Sequence, residues 1–111
     1  MITQPPHEHA RSERRKFNRR KLVGSIEIEW GSSTLTGEVR DIGPQGLFLE
    51  LAPALWVGAT FSARLMVDPP LRLNCTVCRV EPSNGIAVTF ELAEESGKAQ
   101  LEKLLAQLPK L

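Results

Sequence analysis

The stretch with the most obvious chemistry is a basic run at residues 14–21, RRKFNRRK. Arginine presents a planar fork of N–H donors that matches a phosphate group and also the O6/N7 edge of guanine. Arg15 and Arg19 are four residues apart, and Arg14 precedes them directly. Because three guanidinium groups lie so close in the chain, they can converge on one anionic ligand. The spacing predicts an anion-binding segment.

The charge of the whole chain is divided between this segment and the rest. Residues 1–21 contain seven basic and two acidic side chains, a net charge of +5, whereas the remaining chain has a net charge of −4. Such asymmetry is typical of an anion-binding arm. The same asymmetry also fits a solvated tail lying against an acidic body. The charge distribution alone does not distinguish this tail from an anion-binding arm.

A second candidate is the loop DIGPQG at residues 41–46. The Asp41 carboxylate accepts hydrogen bonds, and the N1–H and exocyclic amine of a guanine are donors that suit it. Gly43 and Gly46 allow the backbone to approach a ligand closely or to adopt a positive φ. The same composition is ordinary turn chemistry, so the residues by themselves leave binding and turn formation as alternatives.

The sequence gives little evidence for catalysis or for metal binding. The two histidines, His7 and His9, lie near the N-terminus, no tyrosine occurs, and no phosphate-binding glycine fingerprint is present. Cys75 and Cys78 lie in a segment that is predicted to be a strand. Residues three apart in a strand face opposite sides, so these thiols are expected to be free and structural. We therefore expect neither an enzyme nor a metal protein.

Hydrophobic alternation predicts a β-rich domain. Apolar residues alternate with polar ones at Ile26, Ile28 and Trp30, and similar segments cover residues 34–40, 47–51, 61–67, 71–80 and 86–90. Short strands separated by turn signals indicate an antiparallel barrel or sandwich. Leu101, Leu104, Leu105 and Leu108 have helical spacing, which predicts a terminal helix whose leucine stripe covers the sheet. Glu94 and Glu95 are expected in its first turn.

The predicted organisation is a flexible tail at 1–13 and one domain at 14–111. The domain consists of the basic arm at 14–21, a barrel at 22–91 and a C-terminal helix at 93–108. No apolar run is long enough to span a bilayer, and the first residues lack the apolar core of a secretory signal. The expected location is the cytoplasm.

The two candidate segments together resemble the PilZ domain family. Arg15-Lys16-Phe17-Asn18-Arg19 matches the RxxxR motif of that family. Residues 41–46, followed by the apolar strand that begins at Leu47, are similar to its (D/N)xSxxG motif. The resemblance implies a six-stranded antiparallel β-barrel with a C-terminal α-helix. It also implies binding of cyclic di-GMP, a bacterial second messenger.

The resemblance assigns roles to individual residues. Arg15 and Arg19 would clamp guanine and phosphate, Asp41 would hold a guanine edge, and Gly46 would shape the loop. Arg14 completes an RRxxxR pattern, which is similar to that of domains holding two stacked, intercalated copies of the ligand. Gly43 stands where the family has serine, so one hydroxyl donor is missing, at a cost of about 0.5–1.5 kcal/mol.

The sequence is thus interpreted as a cyclic di-GMP receptor module that needs no other cofactor. Its basic arm would close over the nucleotide and pass the change to an unknown downstream protein, with the module itself a monomer or weak homodimer. The alternative is a PilZ-like adaptor that binds proteins without nucleotide. A nucleic-acid-binding barrel ranks last because aromatic residues make up only 5% of the chain.

Overall fold

The computed structural model describes residues 19–51 and 55–111 of the chain. Six antiparallel strands form a closed barrel in the order β1-β2-β3-β6-β5-β4. This confirms the predicted barrel. The strands are β1 Arg20–Trp30, β2 Ser33–Ile42, β3 Gly46–Glu50, β4 Thr60–Leu65, β5 Leu71–Glu81 and β6 Gly85–Leu92.

The barrel core follows the predicted alternation. Ile26, Ile28, Leu47, Leu49 and Leu65 are completely buried, and each comes from an inward position of its strand. The intervening residues of β4 and β5 face solvent. Because the period of a strand is two residues, one face of each strand fills the core while the other is left for surface chemistry.

Three β-bulges interrupt the alternation. Register shifts occur between Lys21 and Gly24 of β1, between Val39 and Asp41 of β2, and between Val77 and Arg79 of β5. A bulge inserts an extra residue into one strand and re-aims the side chains that follow. The bulge in β2 lies directly before the DIGPQG loop.

A tight turn at residues 82–84 joins β5 and β6 into a hairpin. The N–H of Asn84 donates to the carbonyl of Glu81 at 2.9 Å, and Ser83 has a positive φ of 68°. Pro82 and Ser83 are therefore the central residues, as in a type II turn, where proline is favoured at the first of the two.

The C-terminal helix, α1, spans Gly97–Gln107. The predicted helix began four residues too early, because Glu94 and Glu95 precede it and its first turn contains no acidic residue. Instead, Gly97 and Lys98 donate i→i−3 hydrogen bonds to Glu94 and Glu95 in a tight turn. The leucine stripe packs as expected: Leu101 is buried in the core cluster, and Leu104, Leu105 and Leu108 pack against it.

Residues 109–111 form an unpredicted contact with the start of the barrel. The N–H of Lys21 donates to the carbonyl of Pro109 at 2.9 Å, and that of Leu111 donates to the carbonyl of Arg19 at 3.3 Å. Arg20 and Lys110 form a β-bridge between them. Arg20 and Lys21, assigned to the arm from sequence, thus belong to β1 and are paired on both sides.

Both cysteines are free thiols, as predicted, with Cys75 buried and Cys78 exposed. Burial raises the pKa of the Cys75 thiol to about 12. Within the described part of the chain, no helix has the length and apolar character needed to cross a membrane.

Candidate ligand-binding site

Arg19 and Asp41 join the two candidate segments. Nε of Arg19 donates a hydrogen bond of 2.6 Å to Oδ1 of Asp41, and Nη2 of the same guanidinium also contacts that oxygen. The side chains are 26% and 20% exposed, respectively. A charge-assisted hydrogen bond is stronger than a neutral one, and at this exposure both side chains are still accessible to a ligand. The last arginine of the RxxxR motif and the acid of the second motif therefore share one surface.

The bulge in β2 places Asp41 on this surface. Val39 and Ile42 are both buried in the core although they are three residues apart. Strict alternation would put Asp41 on the same face as Val39, inside the barrel. The extra residue, Arg40, instead leaves Arg40 and Asp41 as two consecutive outward side chains. The carboxylate is therefore directed toward Arg19, which lies next to the start of the paired strand β1.

The loop after Asp41 is fixed by backbone hydrogen bonds. The N–H of Gly43 donates to the carbonyl of Gly46 at 2.8 Å, and the N–H of Phe90 donates to the carbonyl of Gln45 at 2.9 Å. A Cβ on Gly46 would lie 2.7 Å from the carbonyl oxygen of Val88. Gly46 is thus required by the close approach of β3 to β6. Gly43 is buried, while Pro44 and Gln45 are exposed.

The structure describes four of the six predicted site residues. The structure brings Arg19 and Asp41 into direct contact, and it places Gly43 and Gly46 in the loop that follows. Arg14 and Arg15 lie outside the described residues, as do His7 and His9. The ligand-binding roles of all six candidates stay predictions.

Two residues beside Asp41, Arg40 and Phe48, were not predicted from the sequence. The guanidinium carbon of Arg40 lies 5.9 Å from the centre of the Phe48 ring, and Nε of Arg40 is 3.2 Å from a carboxylate oxygen of Glu50. Phe48 pairs with Asp41 across β2 and β3. The spacing of Val39 and Ile42, three residues apart in a strand, is consistent with this bulge but indicates it only when both residues are known to be buried.

A separate polar groove of about 800 Å³ lies over the outer faces of β4, β5 and β6. Its residues include Thr60, Thr76 and Thr89, and its charged side chains are Glu29 and Glu91. Neither Arg19 nor Asp41 lines it. Two carboxylates disfavour an anionic ligand, so the arginine-bearing surface is the better candidate. Over residues 19–51 and 55–111, no three His, Cys, Asp or Glu side chains form a metal site.

Comparison with known proteins agrees with this architecture. The family model described as "PilZ domain" matches residues 13–107. A search of curated proteins gives no match.

Solved structures share the fold. The crystal structure of the PilZ domain of CeSA from a cellulose-synthesizing bacterium is 18% identical with a TM-score of 0.61, over 79% of this chain and 94% of that one. The Bacillus subtilis inhibitor of motility, MotI/DgrA, is 14% identical with a TM-score of 0.67, over 85% of this chain and 50% of that one. With the family model covering most of the sequence, the chain belongs to the PilZ domain family.

Proposed function

We propose that this protein is a cyclic di-GMP receptor module whose ligand lies between the basic arm and the outer face of β2 and β3. The contact between Arg19 and Asp41 carries the proposal, because it unites the two motifs on one partly exposed surface. Membership of the PilZ family supports the choice of ligand.

Asp41 would recognise the base. The N1–H and exocyclic amine of guanine are two adjacent donors, and a carboxylate can accept both. Adenine offers an acceptor at N1, which would repel the same carboxylate. The pair with Arg19 holds Asp41 at the surface, and a guanine bound there would take over part of this pairing. Asp41 would thus discriminate between purines.

The arginines would hold the phosphates. Arg19 is anchored at the surface by Asp41, and Arg14 and Arg15 precede it by only a few residues. Cyclic di-GMP carries two phosphate charges, and guanidinium groups bind phosphate through paired N–H donors. Because the attraction is between charges near solvent, binding should weaken as salt increases.

The paired C-terminal residues offer a route for the signal. Arg19 both contacts Asp41 through its side chain and accepts a hydrogen bond from Leu111 through its carbonyl. A shift of Arg19 toward a phosphate would disturb the pairing of residues 109–111 with Arg19 and Lys21. Those residues directly follow α1. The altered C-terminal surface would then be recognised by a downstream protein.

The test is calorimetric titration with cyclic di-GMP of the wild type, Arg15→Ala and Arg19→Ala, with Arg64→Ala as a matched control. Arg64 is also a surface arginine paired with an acid, Glu27, but it lies on β4. The arginine variants at 15 and 19 should lose at least tenfold in affinity, since a hydrogen bond to a charged group contributes about 1.5–3 kcal/mol. Affinity equal to the wild type in both would reject the site.

The second candidate function is a nucleotide-independent protein adaptor. It is favoured by the apolar surface at Trp56 and Val57, each 61% exposed. Trp56 packs edge-to-face on Trp30, with ring centres 5.0 Å apart. Aromatic residues at a surface are enriched in protein interfaces. Absence of both heat and thermal shift when cyclic di-GMP is added to the wild type would favour this function over the first.

A further inference from the structure

We infer that Arg40 is a base-stacking residue of the binding surface, held flat between Phe48 below it and a purine ring above it. The inference rests on the proposed function, since it concerns the base of the same nucleotide. It adds a contact to the ring face, whereas Asp41 would contact the ring edge. Neither candidate motif contains Arg40 or assigns it a role.

The bulge in β2 gives Arg40 its position. Val39 and Ile42 both enter the core, so Arg40 and Asp41 project outward one after the other. Asp41 and Phe48 are register partners on neighbouring strands, and side chains of such partners begin roughly 5 Å apart. A base whose edge reaches Asp41 therefore lies within one strand spacing of Phe48 and of the guanidinium above it.

Phe48 provides the floor of this stack. It stands between Leu47 and Leu49, which belong to the core cluster, and therefore points to the outer face. It is nevertheless only 8% exposed. The Phe48 ring is therefore largely covered although it lies on the outer face of the barrel. The guanidinium carbon of Arg40 lies 5.9 Å from the centre of this ring. This distance is within the range of a cation–π interaction.

Glu50 fixes the guanidinium from the side. Its carboxylate oxygen lies 3.2 Å from Nε of Arg40, and the two side chains are 52% and 53% exposed. An exposed ion pair contributes little stability by itself. Combined with the ring beneath, however, it limits the rotation of the guanidinium, and half of the Arg40 side chain stays exposed to solvent. Planar guanidinium groups stack readily on aromatic rings, and a guanine or adenine ring is a suitable partner.

The geometry predicts that shape matters as much as charge at this position. Lysine keeps the positive charge of Arg40 but has no plane to stack. Loss of one stacking contact to a base typically weakens binding about tenfold. Both Arg40→Lys and Arg40→Ala should therefore bind cyclic di-GMP about tenfold more weakly than the wild type. The salt dependence should stay unchanged in the lysine variant.

The experiment is calorimetric titration of cyclic di-GMP into the wild type, Arg40→Lys, Arg40→Ala and Arg64→Lys. Arg64 is the control because it is 45% exposed and paired with Glu27, and it lies on β4. The melting temperature of each variant verifies folding. A loss of about tenfold in both Arg40 variants, with none in Arg64→Lys, supports the inference.

Other outcomes overturn it. If the wild type binds and Arg40→Lys binds equally well, Arg40 acts only through its charge. If Arg40→Ala also binds equally well, the residue lies outside the site. If the wild type fails to bind, the proposed function is rejected and the stacking role is rejected with it. Because the three results differ, a wrong assignment of the stacking role of Arg40 can be distinguished from a wrong assignment of the cyclic di-GMP site.

Discussion

Arg19 and Asp41, 22 positions apart in the chain, are joined by a hydrogen bond of 2.6 Å from Nε to Oδ1. The contact depends on the β2 bulge, which turns Asp41 outward, and on the pairing of Lys21 with Asp41 across β1 and β2. The two halves of the candidate site are thus positioned by the barrel itself.

Asp41→Asn should reduce both the affinity for cyclic di-GMP and its advantage over cyclic di-AMP. The amide keeps the shape of the side chain but replaces one acceptor with a donor, which cannot pair with the guanine amine. We expect at least a tenfold loss for cyclic di-GMP, since charged hydrogen bonds contribute about 1.5–3 kcal/mol. Calorimetry with both nucleotides measures the effect. An unchanged preference for guanine would contradict the role of Asp41.

Gly46→Ala should destabilise the barrel. The new Cβ would lie 2.7 Å from the backbone oxygen of Val88, so β3 and β6 would have to separate. We expect a loss of about 1–3 kcal/mol, as for other overpacked sites. The control is Gly24→Ala, where the nearest atom is a side-chain carbon of Leu22 at 3.9 Å. Urea unfolding compares the two variants, and equal stabilities would refute the close-approach explanation.

Leu101→Ala should show that α1 is part of the folded domain. Leu101 is 5% exposed and belongs to the core cluster, whereas Leu111 is 63% exposed. Truncation of a buried leucine costs about 2–5 kcal/mol, so Leu101→Ala should lower the melting temperature strongly. Leu111→Ala, the control, should change it little. A small effect of Leu101→Ala would mean that the helix contributes little to the stability of the barrel.

Cys75 should make stability fall at alkaline pH. Burial raises its pKa from 9.0 to about 12. Above pH 9 the unfolded thiol therefore loses its proton while the folded one keeps it, and each pH unit in this window costs up to about 1.4 kcal/mol. Cys75→Ala removes this term. The difference in unfolding free energy between wild type and variant should shrink from pH 9 to pH 11.

Chemical modification of the two thiols tests the burial of Cys75 independently. In the native protein at pH 8, a thiol reagent should modify Cys78, which is exposed, and spare Cys75, which is buried. Thiolate is the reactive form, so a buried thiol with a raised pKa is inert. Denaturation should expose the second thiol. Rapid modification of both in the native state would contradict the packing of β5.

The barrel could be predicted because its signals are local. Ile26 and Ile28 alternate with polar residues, and the buried face of β1 follows directly from that pattern. The leucines of α1 likewise share one side because of their helical spacing. In both cases the burial of one face dictates the structure, and the sequence records which residues form that face.

The details of the site depend on interactions between strands, which the alternation does not record. The bulge at Arg40 reverses the direction expected for Asp41. The spacing of Val39 and Ile42 fits the bulge only once both are known to be buried. Arg40 and Phe48 were overlooked for the same reason, since their contact crosses from β2 to β3.

The start of α1 and the C-terminal pairing were missed because tertiary contacts override local preference. Gly97 is the first residue of α1 and packs against Leu71 and Leu92. A Cβ on Gly97 would lie 3.1 Å from a methyl carbon of Leu71. Residues 109–111 carry no strand pattern of their own. They pair with β1 because its first residues would otherwise lack a partner on that side.

Titration calorimetry of cyclic di-GMP into the wild type and Arg19→Ala, with Arg64→Ala as control, determines whether the Arg19–Asp41 surface binds the nucleotide. We expect the wild type and the control to bind with an affinity that falls as salt increases, and Arg19→Ala to bind at least tenfold more weakly. Equal affinity in all three proteins, or no binding to the wild type, would contradict this expectation.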